Sequence, residues 1–369
     1  MMKMRKQYMP ELLKDKLNHE SLREFALSVQ SVYSAFQADE FIKSTMDKTW
    51  DNLELKARGR QISENLGKYL PADYKAAIGV IDKVAISYDG FCKYCFPDFV
   101  EVFGQDEINL DVSVDALERY TQYASSELAV RPFIIKYEKY MTARMYAWSK
   151  HESEHVRRLA SEGCRPALPW GIALNGFKKD PAPILPILEQ LKTDPSPDVR
   201  RSVANNLNDI SKTRPDVVVK LAKDWYGKDE CTNQIVKHGC RTLLKKGNRD
   251  VLAVFGIDDV VFVDVKDFAL GTGSVSVGEN ITFSFSVQVK EATKVRLEYG
   301  IDYVKANGKR NRKIFQISEI FLKENQKKSY SKKHSFADVS TRTHYPGIHS
   351  LVLIVNGAER EKSDFELKK

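Results

Sequence analysis

The apolar residues of this 369-residue chain change their spacing once, between Phe255 and Asp259, and no single type of secondary structure accommodates both sides. Before that point the spacing is helical. Leu22, Phe25, Ala26 and Val29 recur at i, i+3, i+4 and i+7, followed by Val32, Phe36 and Phe41, which gathers them on one helix face. After it the spacing is two: Ile281, Phe283, Phe285, Val287 and Val289 alternate with polar residues, and so do Val295, Leu297, Tyr299, Ile301 and Tyr303. Successive side chains of a strand point to opposite faces, so these segments read as half-buried antiparallel strands. The run Leu351 to Val355 then meets Asn356-Gly357, a pair suited to the positive φ angles of a two-residue hairpin turn. The expected fold class is multidomain α + β: a helical domain over residues 1–258, then an all-β sandwich over residues 259–369. At about 110 residues the second part has the size of an immunoglobulin domain. It contains no cysteine, so an inter-sheet disulfide is not expected in it.

The helical part repeats itself. HVRRLASEG at 155–163 is echoed by DVRRSVANN at 198–206, with Val156 and Val199 43 positions apart, and more weakly by QIVKHGCRTLLKKG from Gln234. A period near 40 residues built of paired helices suggests a HEAT-like solenoid, whose units are stable only when stacked and which offers a concave face. In the first unit Val156, Leu159, Ala160 and Gly163 form the stripe that packs, leaving Arg158, Ser161, Glu162 and Arg165 as a second stripe of the same spacing. In the next, Val199, Val203, Leu207 and Ile210 pack, leaving Arg201, Asn205, Asn208 and Asp209; the third presents His238, Arg241 and Lys245. Glu162 and Asp209 therefore stand among cations. One reading is that they only form salt links along their helices to Arg158 and Arg201, worth about 0.3 kcal/mol each. The other is that this face holds a ligand. Trp170, which ends a rigid step through Pro166 and Pro169, is likewise either a buried core tryptophan or a displayed aromatic wall.

Composition narrows the ligand. A net charge of +8 and a pI near 9.0 favour a polyanion, with nucleic acid ahead of a membrane surface. No stretch approaches the roughly 18 apolar residues of a membrane span, and no apolar run follows the basic amino terminus, so a cytoplasmic protein is expected. Cys92, Cys95, Cys164, Cys231 and Cys240 form no disulfide framework. The pair Cys92 and Cys95 has zinc spacing but lacks a second pair, and His151, Glu152 and His155 have the H-E-x-x-H spacing but are read as helix-surface residues rather than ligands, so no metal or other cofactor is expected.

Five helical segments then carry a resemblance: LELKARGRQISENLGKYLP from Leu53, SSELAVRPFI from Ser125, HVRRLASEGCRPALPW from His155, DPSPDVRRSVANNLNDISKTRPD from Asp194 and HGCRTLLKKG from His238. They resemble the AlkC-type DNA alkylation repair glycosylases, HEAT-like repeat proteins related to the AlkD group. DVSTRTHYPGIHSLVLIVNG from Asp338 resembles the immunoglobulin-like domain that a subset of that family carries. Two positions depart from the family's pattern. Leu128 stands where an aromatic residue is expected, which bears on packing near the site, and Ala167 where a basic residue is usual, which bears on one phosphate contact.

The resemblance implies an α-helical HEAT-like solenoid followed by an immunoglobulin-like sandwich, acting as a monomer on alkylated double-stranded DNA. It implies base excision by hydrolysis of the N-glycosidic bond of cationic N3-alkylated bases, 3-methyladenine and 3-methylcytosine, without flipping the base into a pocket. A positively charged base is already a good leaving group, so the enzyme has mainly to stabilise the deoxyribose oxocarbenium ion and hold a water against its anomeric carbon. Carboxylates do both. By resemblance the acids are Glu162 and Asp209, with Glu127 supporting, and Trp170 sets its ring beside the sugar, where a cation over indole is worth about 1–2 kcal/mol. The residues expected on the phosphates are Arg157, Arg158, Arg165, Arg201, His238, Arg241 and Lys245. Lys327, Lys328, Lys332 and Lys333, in a basic segment of the β domain, are expected to clamp the duplex from the opposite side. The rival of another class is a non-catalytic HEAT-repeat scaffold that binds nucleic acid or protein. Such a scaffold has no need of carboxylates at the centre of a basic face.

Overall fold

The structure, a computed structural model, describes residues 12–257, 263–337 and 343–369; the expected boundary at 258/259 lies outside the described residues. The chain divides into two compact units, one ending at Arg214 and the other beginning at Pro215.

The first unit is helical. Its elements are α1 (His19–Val32), α2 (Ala38–Thr45), α3 (Leu55–Tyr69), α4 (Tyr74–Ser87), α5 (Cys95–Phe103), α6 (Leu110–Tyr120), α7 (Val130–Lys136), α8 (Glu138–Trp148), α9 (Glu154–Glu162), α10 (Asn175–Lys179), α11 (Leu185–Leu191) and α12 (Pro197–Ile210). Local chemistry sets where they start. Asn18 and Ser21 cap α1 reciprocally, each side chain accepting from the other's amide, and Pro197, whose fixed φ suits a first turn, opens α12. The stripe Leu22, Phe25, Ala26 and Val29 is buried as its spacing predicts.

The two echoed segments, α9 and α12, stack on each other. Val156, Leu159 and Ala160 of the one and Val199, Val203, Leu207 and Ile210 of the other are buried. Small polar residues line the contact: Ser202 donates to the Ser161 hydroxyl at 3.0 Å, and the Asn206 amide donates to the Ser161 carbonyl at 2.9 Å. The second stripe of α9 is therefore not the solvated face its polarity suggested. Ser161, Glu162 and Arg165 are all buried, because helix stacking covers them and because the two charged residues pair with each other.

The second unit joins four helices to a β-sandwich. The helices are α13 (Pro215–Trp225), α14 (Glu230–Gly239), α15 (Arg241–Lys245) and α16 (Arg249–Val254); the strands are β1 (Val263–Leu270), β2 (Ser274–Ser276), β3 (Asn280–Val289), β4 (Thr293–Val304), β5 (Arg310–Leu322), β6 (Lys327–Ser335), β7 (Gly347–Val355) and β8 (Ala358–Lys368). One sheet runs β1-β3-β6 and the other β2-β8-β7-β4-β5. Their facing sides bring together the alternating residues of β3 and β4 with Leu351, Leu353 and Val355 of β7. Asn356 and Gly357 turn β7 into β8 with φ of 48° and 77°, the geometry that an Asn-Gly hairpin requires.

The helices of this unit are tied to its sheets. Lys237 of α14 pairs with Glu319 of β5 at 3.0 Å, Lys294 of β4 donates to the Phe255 carbonyl at 3.0 Å, and Gly247 abuts Gly357 so closely that a Cβ there would lie 2.5 Å from the Gly357 oxygen. These ties explain why the compact division precedes the change of apolar spacing.

Candidate active site

The site builds outward from α9. Its last turn carries Glu162, and the chain then breaks at Gly163, where a Cβ would lie 2.8 Å from Val130 of α7 and 2.9 Å from the Leu159 carbonyl. Only glycine permits that approach. Three residues past Glu162, Arg165 folds back: its Nη1 donates to Glu162 Oε1 at 2.5 Å and its Nε to Asp209 Oδ2 of α12 at 2.9 Å. Lys212 closes the far side of Asp209, with Nζ 2.9 Å from Oδ1. One turn earlier on α9, Arg158 pairs at 2.8 Å with Glu127, which also accepts from the Ser125 hydroxyl at 2.8 Å. The result is a ladder of alternating charge, Glu127–Arg158 and then Glu162–Arg165–Asp209–Lys212.

Glu162, Arg165 and Asp209 are 6%, 8% and 3% exposed. Burying one such charge alone is costly, and the alternation is what makes the array tolerable. Burial by itself would lower the Arg165 pKa, but the carboxylates of Glu162 and Asp209 overcome it and hold the guanidinium above the ordinary arginine value. The salt links expected along the helices to Arg158 and Arg201 are not the ones that Glu162 and Asp209 form. Glu162 pairs with Arg165 and Asp209 with Arg165 and Lys212; the bond from Arg165 to Asp209, 44 positions apart, is not visible in helix spacing.

Trp170 is 78% exposed, which overturns the core reading of that residue. Its φ is 64°, a left-handed conformation costing a non-glycine residue about 1 kcal/mol or more. Its carbonyl accepts from Lys56 Nζ at 3.2 Å, and Ile172 beside it is 51% exposed. Leu128 and Ala167, the two departures from the family pattern, are both partly buried.

The expected phosphate contacts separate. Arg157 is engaged on every side within the fold: with both oxygens of Asp194 at 2.6 and 3.1 Å, and with the carbonyls of His151 and Glu152. Arg200, its repeat equivalent, caps the carbonyls of Asp194 and Pro195 in the same way, so the first arginine of each Arg-Arg pair closes the loop before its helix. Arg158 and Arg201 are the more open ones; Arg201 pairs only at the surface, with Asp198. In the second unit, His238 and Lys245 are exposed, and Arg241 donates to the His238 carbonyl at 2.7 Å.

The four lysines of β6 fall on two faces. Lys328 and Lys332 stand opposite Val287 and Phe283 in the register, on the core side with Tyr330 and His334, whereas Lys327 and Lys333 stand opposite Gln288 and Thr282. All four are exposed, because β6 is an edge strand. Elsewhere in the basic segment, Arg312 is taken up by Asp302 and Glu359.

Among the described residues, no group of three or more His, Cys, Asp or Glu is arranged to hold a metal ion. Cys92 and Cys95 are buried, and burial pushes the Cys92 thiol up to about 11. No described helix is long and apolar enough to cross a membrane.

Known proteins share this architecture. The family model described as "Uncharacterised protein YhaZ, C-terminal Ig-like domain" matches residues 264–369, and a HEAT repeat model matches residues 184–213. "Uncharacterized protein YhaZ" of Bacillus subtilis (strain 168) is 43% identical over 355 residues, covering 96% of this chain and 99% of that protein. The solved structure of Pseudomonas fluorescens alkylpurine DNA glycosylase AlkC, bound to DNA containing an abasic site analog, superposes with a TM-score of 0.92 at 33% identity, covering 97% of this chain and all of that one.

Proposed function

Since the chain belongs to the AlkC family, we propose that it is a monofunctional DNA glycosylase of base excision repair, hydrolysing the N-glycosidic bond of 3-methyladenine and 3-methylcytosine in double-stranded DNA. The observation that carries this reading is the buried Glu162–Arg165–Asp209 bridge in the same stretch of chain as the exposed Trp170. A scaffold gains nothing from two acids held out of water beneath a basic surface. A reaction that passes through a cation inside a polyanion does.

In this reading Glu162 and Asp209 lie nearest the deoxyribose. They stabilise the positive charge that grows on the sugar as the base departs, and they hold the water that attacks the anomeric carbon; Glu127 supports them and Trp170 sets its ring face against the sugar. The departing base leaves as a neutral molecule, since it begins with a positive charge and takes the bonding electrons with it. No pocket for a flipped base is required. No cofactor is assigned a step.

Arg158, Arg201, His238, Arg241 and Lys245 are assigned to phosphates, together with Lys327, Lys328, Lys332 and Lys333 of the β-sandwich. Arg157 serves the fold and Arg165 the carboxylates. Residues 1–258 would carry catalysis and most of DNA binding and residues 259–369 would clamp the duplex, the protein acting as a monomer on DNA in the cytoplasm.

Asp209→Asn and Glu162→Gln keep shape and remove charge. Each is expected to slow single-turnover excision by about two orders of magnitude or more while leaving most of the affinity for an abasic duplex. Near wild-type rates in both variants would return these carboxylates to a purely structural role.

A further inference from the structure

Behind the Trp170 loop lies an arginine with no acid. Arg131 of α7 is completely buried. Each of its three guanidinium nitrogens donates to a main-chain carbonyl: Nε to Ile172 at 2.6 Å, Nη1 to Gly163 at 2.9 Å and Nη2 to Arg165 at 2.9 Å. Those three carbonyls belong to the two ends of one loop, the segment that leaves α9 at Gly163 and passes Trp170. A planar guanidinium is the side chain that can fix three acceptors at once, and a lysine ammonium is a poor substitute. Burial, with the Arg165 guanidinium nearby, lowers the Arg131 pKa to about 10 against the opposing pull of Asp209 and Glu162, so the side chain remains charged at neutral pH. A buried cation that spends no bond on an acid is expensive to keep for packing alone.

We propose that Arg131 is a positioning residue for excision, holding the carbonyl of Arg165, and through it the Glu162–Arg165–Asp209 bridge, in a fixed relation to the strained Trp170 turn. The chain of contact is direct. Arg131 fixes the Arg165 main chain, and the Arg165 side chain fixes both carboxylates. The same guanidinium fixes Ile172, two residues past Trp170. Two further contacts brace this loop: Lys56 holds the Trp170 carbonyl, and Gly171 lies so near that a Cβ there would be 3.0 Å from Arg131 Cδ and Nε.

The inference rests on the glycosylase reading, but its spectroscopic arm does not. Trp50, Trp148 and Trp225 are each 3% exposed and Trp170 is 78% exposed, so acrylamide quenching of the full-length protein reports Trp170. In the wild type, saturation with an abasic duplex should shield that fluorescence. In Arg131→Met and Arg131→Lys the duplex should still bind within about threefold of wild type while the shielding is lost, and single-turnover excision should fall by about tenfold or more. The lysine variant should recover little, since one ammonium cannot span three carbonyls. Should the Arg131 variants not fold, Lys56→Ala combined with Gly171→Ala disturbs the same loop from its surface and should give the same loss of shielding. Shielding and rate both unchanged in whichever variants fold would overturn the proposal. Wild-type protein that releases no alkylated base but still shows Arg131-dependent shielding would overturn the glycosylase reading, and with it the role in excision, and leave only the hold of Arg131 on the Trp170 loop.

Discussion

Arg157 and Arg158 are adjacent in sequence and differ in everything else. Arg157 holds Asp194, whose side chain is 3% exposed, and closes the carbonyls of the preceding loop; Arg158 lies at the edge of the site against Glu127. Arg157→Ala should therefore destabilise the protein by about 2–3 kcal/mol in a urea melt, because it strands a buried carboxylate, and should leave the salt dependence of DNA binding unchanged. A stable variant whose slope of log K against log [salt] drops by about 0.9 would put Arg157 on a phosphate instead. Sequence reading could not separate these two arginines, since helical spacing gives the face of a residue and not its partner. It placed Glu162 and Asp209 among cations but missed that Arg165, 44 positions before Asp209, joins them. Arg131 was also missed, although a signal was present: it lies among Val130, Phe133 and Ile134, the apolar buried residues of its helix, where a charged residue calls for an explanation.

At the scale of elements, spacing was a sound guide wherever burial alone decides the fold. The stripes of α1, α9 and α12 and the alternating strands β3 and β4 are buried as their periods predict. The four lysines of β6 show where it stopped. A run of basic residues reads as one patch, yet the period of a strand divides it into an outward pair, Lys327 and Lys333, and an inward pair, Lys328 and Lys332. Charges on the inward face of an edge strand also guard against pairing with another chain. Replacing Lys327 and Lys333 with alanine should lower the salt slope of duplex binding by about 1.8, two contacts at about 0.9 each. Replacing Lys328 and Lys332 should lower it less and should promote self-association, read by light scattering. Equal slopes and no association in either double variant would remove β6 from the DNA interface.

At the scale of the whole molecule, the change from helical to alternating spacing was legible because it reflects how each element meets its core. The limits of the compact units were not, because they depend on contacts far apart in sequence, such as Lys237 with Glu319 and Gly247 with Gly357. The function proposed for the assembled chain comes down to one chemical event, the loss of a charged base from a sugar. The most direct test is to incubate the full-length protein with alkylated duplex DNA in the presence of EDTA and to identify the released bases by mass spectrometry. Free 3-methyladenine and 3-methylcytosine should appear with the wild type, and about a hundredfold more slowly with Asp209→Asn. A protein that binds the duplex and releases no base above that variant's level would contradict the account.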